Sequence, residues 1–217
     1  MARDLDRRIR ALAGDAGVRD VLVIGGGCSK PAGEFASTMD VLETGLLDAC
    51  GVTDIGIAGH PEGSPDFPEA TAVGALKSKA AFAQRTGARM RIVTQFGFDG
   101  RAFSRWARSL IDQNIDLPVH IGVAGPARLT TLMKYAAMCG VGNSIGFLRR
   151  RALSLATLTT RHSPEHVVRP IEEDVLTGVG SNIEQIHVFA FGGLESTADW
   201  LKDRASWSVG APFHARA

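Results

Sequence analysis

The segment His60–Pro68 reads HPEGSPDFP, which puts an imidazole and two carboxylates in a stretch whose prolines at 61, 65 and 68 admit neither a helix nor a central strand. Such a rigid, exposed loop at a strand end suits binding chemistry and also serves as an ordinary connector. Glu62 and Asp66 read as solvated wall residues rather than proton donors. The triplet Gly25-Gly26-Gly27 lets backbone approach a ligand closely. It lacks the GxGxxG spacing, and Cys28-Ser29-Lys30-Pro31 does not open a helix, so a dinucleotide turn of the Rossmann kind is not expected. His162 and His166 are four apart, as helical metal ligands can be. Ser163-Pro164 between them reads better as an N-cap followed by the first helical residue, and no further ligands for zinc are at hand. The triplet Arg149–Arg151 reads as the polar face of a helix, with binding of a phosphate-bearing or otherwise anionic partner as the alternative.

With 217 residues the chain is long enough for one large domain or two small ones and can bury a substantial core; it is read as a single α/β domain over 1–217. Its 24 basic and 23 acidic side chains nearly cancel, which gives no support to a nucleic-acid surface or an anionic membrane surface. A small-molecule ligand is the better expectation. Cys28, Cys50 and Cys139 lie far apart, with neither CxxC spacing nor an even count, and read as reduced thiols of a cytoplasmic protein. No run is apolar over the length needed to span a bilayer.

The elements that position these groups follow from the hydrophobic pattern. Leu5, Ile9, Leu12 and Ala13 predict an amphipathic helix over 3–15. VLVIGGG predicts a strand covered on both faces, as in parallel sheets. Helix and strand then alternate: helix near 38–50, strand near 54–58, helix near 69–85, strand RMRIVTQF, helix near 101–113, strand LPVHIGV, helix near 127–139. A mostly helical stretch runs to about 182, followed by the strand QIHVFAF and a helix near 195–204. About five parallel strands joined by right-handed crossovers fit part of a (β/α)8 TIM barrel or an open doubly wound sheet. In both, ligands bind beyond the C-terminal ends of the strands, near 25–37, 59–70, 95–100, 123–131 and 190–195.

Four stretches, VLVIGGGCSKPAGEF, DIGIAGHPEGSPDFPEA, LKSKAAFAQRTGARMRIVTQFGFD and IHVFAFGGLESTADW, together resemble the second part of the methylenetetrahydrofolate reductase family, from about Leu5 to Lys202. The resemblance implies a flavin-containing (β/α)8 barrel that moves hydride from NAD(P)H through FAD to methylenetetrahydrofolate. It implies flavin contacts at Gly26, Gly27, Phe35, His60, Ser64 and Lys79, with the Lys79 ammonium balancing phosphate charge. It implies folate contacts at Gln95, Phe98, Thr131 and Gly193. Gln95 matches a family glutamine that hydrogen-bonds pterin and nicotinamide in turn, a role suited to an amide that both donates and accepts.

Several positions depart from the family pattern. Gly27 stands where an aspartate is common, His60 where a tyrosine is, Ser64 where a histidine is, Thr131 for a glutamine and Gly193 for an arginine. The family's first three βα units, with the glutamate that acts as general acid, have no counterpart before Met1. An inactive fragment or a noncatalytic folate- or flavin-binding module is the alternative. A partial barrel with open edges is expected to associate as a homo-oligomer.

Overall fold

The computed structural model describes residues 2–25, 30–31, 33–139, 141, 146, 161–178 and 182–205. Five strands form one parallel sheet: β1 (Asp20–Val23), β2 (Asp54–Gly59), β3 (Arg89–Gly97), β4 (Val119–Ala124) and β7 (Ile183–Phe189). Their order across the sheet is β1-β2-β3-β4-β7, which is also their order in the chain. A doubly wound sheet reverses direction at a switch point. This one does not, so right-handed crossovers carry the connecting helices to one face.

The helices whose bounds fall among the described residues are α1 (Ala2–Arg10), which runs on into a π-helical turn at Ala11–Asp15, α2 (Thr38–Leu42), α3 (Leu46–Ala49), α4 (Glu69–Thr86), α5 (Gly100–Asp112), α6 (Leu129–Met138), α7 (Glu165–Leu176) and α8 (Leu194–Asp203). Between them, β5 (Ala127–Arg128) and β6 (Arg161–His162) make a two-stranded antiparallel pair. The helix expected over 38–50 is broken in two where Gly45 takes a φ of 69°. Ser37 starts its first half with a capping box, its hydroxyl accepting the Asp40 N–H while Asp40 accepts the Ser37 N–H. At the head of α7 the cap is Pro164 and Glu165 is the first helical residue, one position later than the Ser163 cap read from the sequence.

Alternating strand residues sort onto two faces. Ile55, Ile57, Ile92, Val119, Ile121 and Val123 pack with Leu76 and Phe82 of α4, Phe103 and Leu110 of α5, and Val168 and Ile171 of α7. This is the main core. Gly59 shows how tightly α5 lies on it, since a Cβ there would sit 2.6 Å from Ile92 Cγ2 and 2.9 Å from the Trp106 ring. On the opposite face the register sets Leu22 beside Gly56, Gly56 beside Arg91, Val93 beside His120 and Gly122 beside His187. Arg91 is held there by Asp20 at 2.5 Å. β1 corrects the expectation of a strand covered on both sides. It is an edge strand, with Leu22 42% and Ile24 63% exposed.

A second cluster closes the C-terminal ends of β3, β4 and β7, joining Phe96, Phe98 and Ala124 to Leu129, Leu132 and Ala136 of α6. At the far edge, α8 is clamped to α7: Arg204 bridges Glu165 and Glu172, and the Trp200 indole N–H donates to Glu165 at 2.9 Å. Among the described residues no helix is long and apolar enough to cross a membrane.

Candidate functional site

Because the strands are parallel and in chain order, the loops after them line up along one edge of the sheet. At its β1–β2 end a cavity of about 190 Å³ is bounded by Gly25, Thr38, Ala58, His60, Phe67 and, on one face of α4, Thr71, Ala72, Ala75, Leu76 and Lys79. The α4 residues fall at helical spacing, which is why one helix supplies so much of the wall.

Lys79 is 7% exposed, and among the described residues no carboxylate pairs with it. Burial draws its pKa below the ordinary lysine value. His60 is half-buried, with its ring edge-on to Phe67 at 5.1 Å between centroids. Burial and the Lys79 charge lower the imidazole's pKa, and Asp66 opposes them. Ser64 lies in the same loop, where its hydroxyl accepts the Asp66 N–H at 3.2 Å. The proline-rich loop also reaches the next strand: a Cβ on Gly97 would lie 2.7 Å from Glu62 Oε1. Glu62 is half-buried against the end of β3 rather than a solvated wall residue.

In the middle of the edge, β3 and β4 lose register between Val93 and Phe96. Here the Thr94 hydroxyl donates to the Gln95 carbonyl and accepts the Gly122 N–H, both at 2.8 Å. Gln95 is half-exposed, and its carboxamide makes no hydrogen bond with any described residue. A donor and an acceptor are thus left open at the strand end.

Toward β7 the edge becomes aromatic. Tyr135 of α6 stacks on Phe191 at 4.2 Å and 16°, Phe191 stacks on Phe189 at 5.6 Å and 8°, and Phe96 meets Phe191 edge-on at 4.8 Å. Tyr135, Phe189 and Phe191 are each half-exposed, so the stack offers a face as well as a core. Thr131 lies one helical turn before Tyr135, half-buried in the first turn of α6. Gly193 precedes α8 with a φ of 109°, a conformation that favours glycine, and its carbonyl accepts the Thr197 hydroxyl at 2.9 Å.

The structure therefore brings His60 and Lys79 to one cavity, with Ser64 in the adjoining loop, and sets Gln95, Thr131 and Gly193 at successive strand ends. Two expected positions differ. Phe98 does not wall an open ligand face beside Gln95: it is 3% exposed, between Phe96 at 6.0 Å and the rings of His162 and His166 at 5.4 and 6.5 Å. Phe35 does not reach the His60–Lys79 cavity but lines a separate groove with Leu5, Arg8 and Leu12 of the first helical segment. Gly26 and Gly27 lie outside the described residues. His162 and His166 have their rings 4.4 Å apart, and among the described residues no group of three His, Cys, Asp or Glu could hold a metal.

The stack of Tyr135, Phe189 and Phe191 was not foreseen as part of the site. The available signal was the FAF at the end of the last strand, together with the single tyrosine of the chain four residues after Thr131. Compared with models of known protein families, the chain matches none.

Proposed function

We propose that this chain is a flavoprotein oxidoreductase of one-carbon metabolism, similar to methylenetetrahydrofolate reductase, that passes hydride from NAD(P)H through FAD to methylenetetrahydrofolate and yields methyltetrahydrofolate. The observation that carries the reading is the order of groups along one sheet edge: a buried cation beside β2, an open carboxamide on β3 and an aromatic stack at β7. Three strand spacings separate the first from the last, roughly 14 Å at about 4.8 Å each. A cofactor with an anionic tail and a planar ring, facing a second planar substrate, calls for such a sequence of contacts. The unreversed strand order supports five consecutive units of a (β/α)8 barrel.

The residues present fit FAD at its polar tail, because Lys79 is a buried ammonium with no carboxylate partner among the described residues, on a cavity large enough for phosphate. Bound FAD supplies the hydride relay between nicotinamide and folate. Lys79 offsets phosphate charge. The Gln95 carboxamide orients first the nicotinamide and then the pterin by donating and accepting at their edges, while Tyr135 and Phe191 offer a face to a planar ring.

A noncatalytic flavin- or folate-binding module is the second reading, and one observation favours it. None of Gln95, Thr131, Tyr135, Phe189 and Phe191, the described residues assigned to the folate end of the edge, is a carboxylic acid, and opening the methylene bridge of the folate requires a proton donor.

Anaerobic half-reactions separate the two. An enzyme loaded with FAD is bleached by NADH or NADPH and recovers its colour on addition of methylenetetrahydrofolate. A flavin-binding module retains FAD and shows neither change. Failure to retain FAD under any loading condition contradicts the enzyme and the flavin-binding module, and methylenetetrahydrofolate binding to the flavin-free chain then identifies a folate-binding module.

A further inference from the structure

The His60–Lys79 cavity combines two cations of different kinds. At about 190 Å³ it has room for a phosphate or diphosphate but not for a whole dinucleotide, the rest of which would run out along the strand ends. Lys79 is 7% exposed and unpaired among the described residues, and an uncompensated buried charge is costly. An anion in the cavity would relieve that cost, with the Thr38 and Thr71 hydroxyls on the walls as further donors. The second cation is conditional. The charged groups acting on His60 are Lys79 from α4 and Asp66 from its own loop, with Phe67 packed edge-on against the ring.

We infer that this cavity binds a phosphate or diphosphate group together with a proton taken up by His60. Before an anion enters, burial and Lys79 together keep the imidazole neutral near pH 7. An anion beside the ring reverses the local field and favours the imidazolium, so anion and proton bind with mutual reinforcement. The inference rests on the flavin reading only for the identity of the ligand; the proton linkage follows from the cavity itself.

The test uses sulfate and ADP-ribose, whose anionic groups do not titrate near neutrality. Calorimetric titration of the whole chain between about pH 8 and 6, in buffers of different ionisation enthalpy, is expected to show proton uptake on binding, with Kd falling by up to about tenfold per pH unit. His60→Gln should flatten the pH dependence, and Lys79→Met should weaken binding at every pH. In the unsubstituted chain, NMR of labelled histidine should show the His60 pKa rising when either anion is added, a readout independent of whether a variant folds. Binding without proton uptake, or no binding of either anion, overturns the inference. If ADP-ribose binds with a proton while FAD does not bind, the flavin reading fails and this one stands. If FAD binds with no proton uptake, the reverse holds.

Discussion

The hydroxyl of Thr94 accepts the backbone N–H of Gly122 at 2.8 Å, a side chain of β3 taking the place of a ladder bond where β3 and β4 slip register. Thr94 is 1% exposed, so water cannot replace it. A Cβ on Gly122 would collide with the Thr94 carbonyl and come within 2.8 Å of Phe189. The pair therefore sets how Gln95 leaves the sheet. Thr94→Val orphans the Gly122 N–H and is expected to cost about 1–3 kcal/mol. Urea denaturation should show a lower midpoint at unchanged slope. An unchanged midpoint would mean that the bulge is held by other contacts.

Stability should fall in mild acid. Burial, Arg91 and His187 together draw His120 down to about 4, while Asp20 opposes them; His187 is lowered by its own burial and by Arg91. Folded His120 thus stays neutral where the unfolded chain, with an ordinary value near 6.5, takes up a proton. Its contribution is intact above about pH 6.5 and is lost as pH falls toward 4, by about 1–2 kcal/mol after discounting for its half-exposed setting. His120→Gln should flatten the slope of stability against pH in this window. A wild-type profile already flat from pH 7 to 4 would contradict the assignment.

Among the described residues the sheet ends at β1 and β7, each with a single neighbouring strand. Leu22 and Ile24 add exposed apolar surface at the first. Unpaired strand groups beside apolar side chains favour association. Light scattering over a concentration series should report a mass above that of one chain, and a monomer at every concentration would count against the partial-barrel account.

The alternation of elements was legible because each strand is a short apolar run bounded by glycine or proline and each helix has its own apolar stripe. That was enough to place His60, Gln95 and Gly193 at strand ends. Strand order was not legible, since hydrophobic pattern says which face is buried but not which strand is the neighbour. The edge position of β1 was missed for the same reason: Val21, Leu22, Val23 and Ile24 read as doubly covered, yet one side has no layer over Leu22. Phe98 and Phe35 were misplaced because an aromatic residue in a strand-end loop can pack inward as readily as toward a ligand. Only the fold brings His162 and His166 against Phe98. The burial of Lys79 was equally hidden, as a lysine beside Lys77 on a helix reads as solvated until α4 is docked.

The most direct test of the account is FAD retention and folate-dependent flavin reoxidation measured on the same preparations of the wild-type chain, Lys79→Met and Gln95→Ala. The account predicts that Lys79→Met weakens FAD binding about tenfold or more, as expected for the loss of a buried charge-assisted contact of about 1.5–3 kcal/mol. Gln95→Ala should keep its FAD and slow reoxidation by an amount equivalent to about 1–3 kcal/mol. If Gln95→Ala sheds FAD while Lys79→Met retains it, or if neither variant differs from wild type, the assignment of this strand-end edge as a flavin and folate site is wrong.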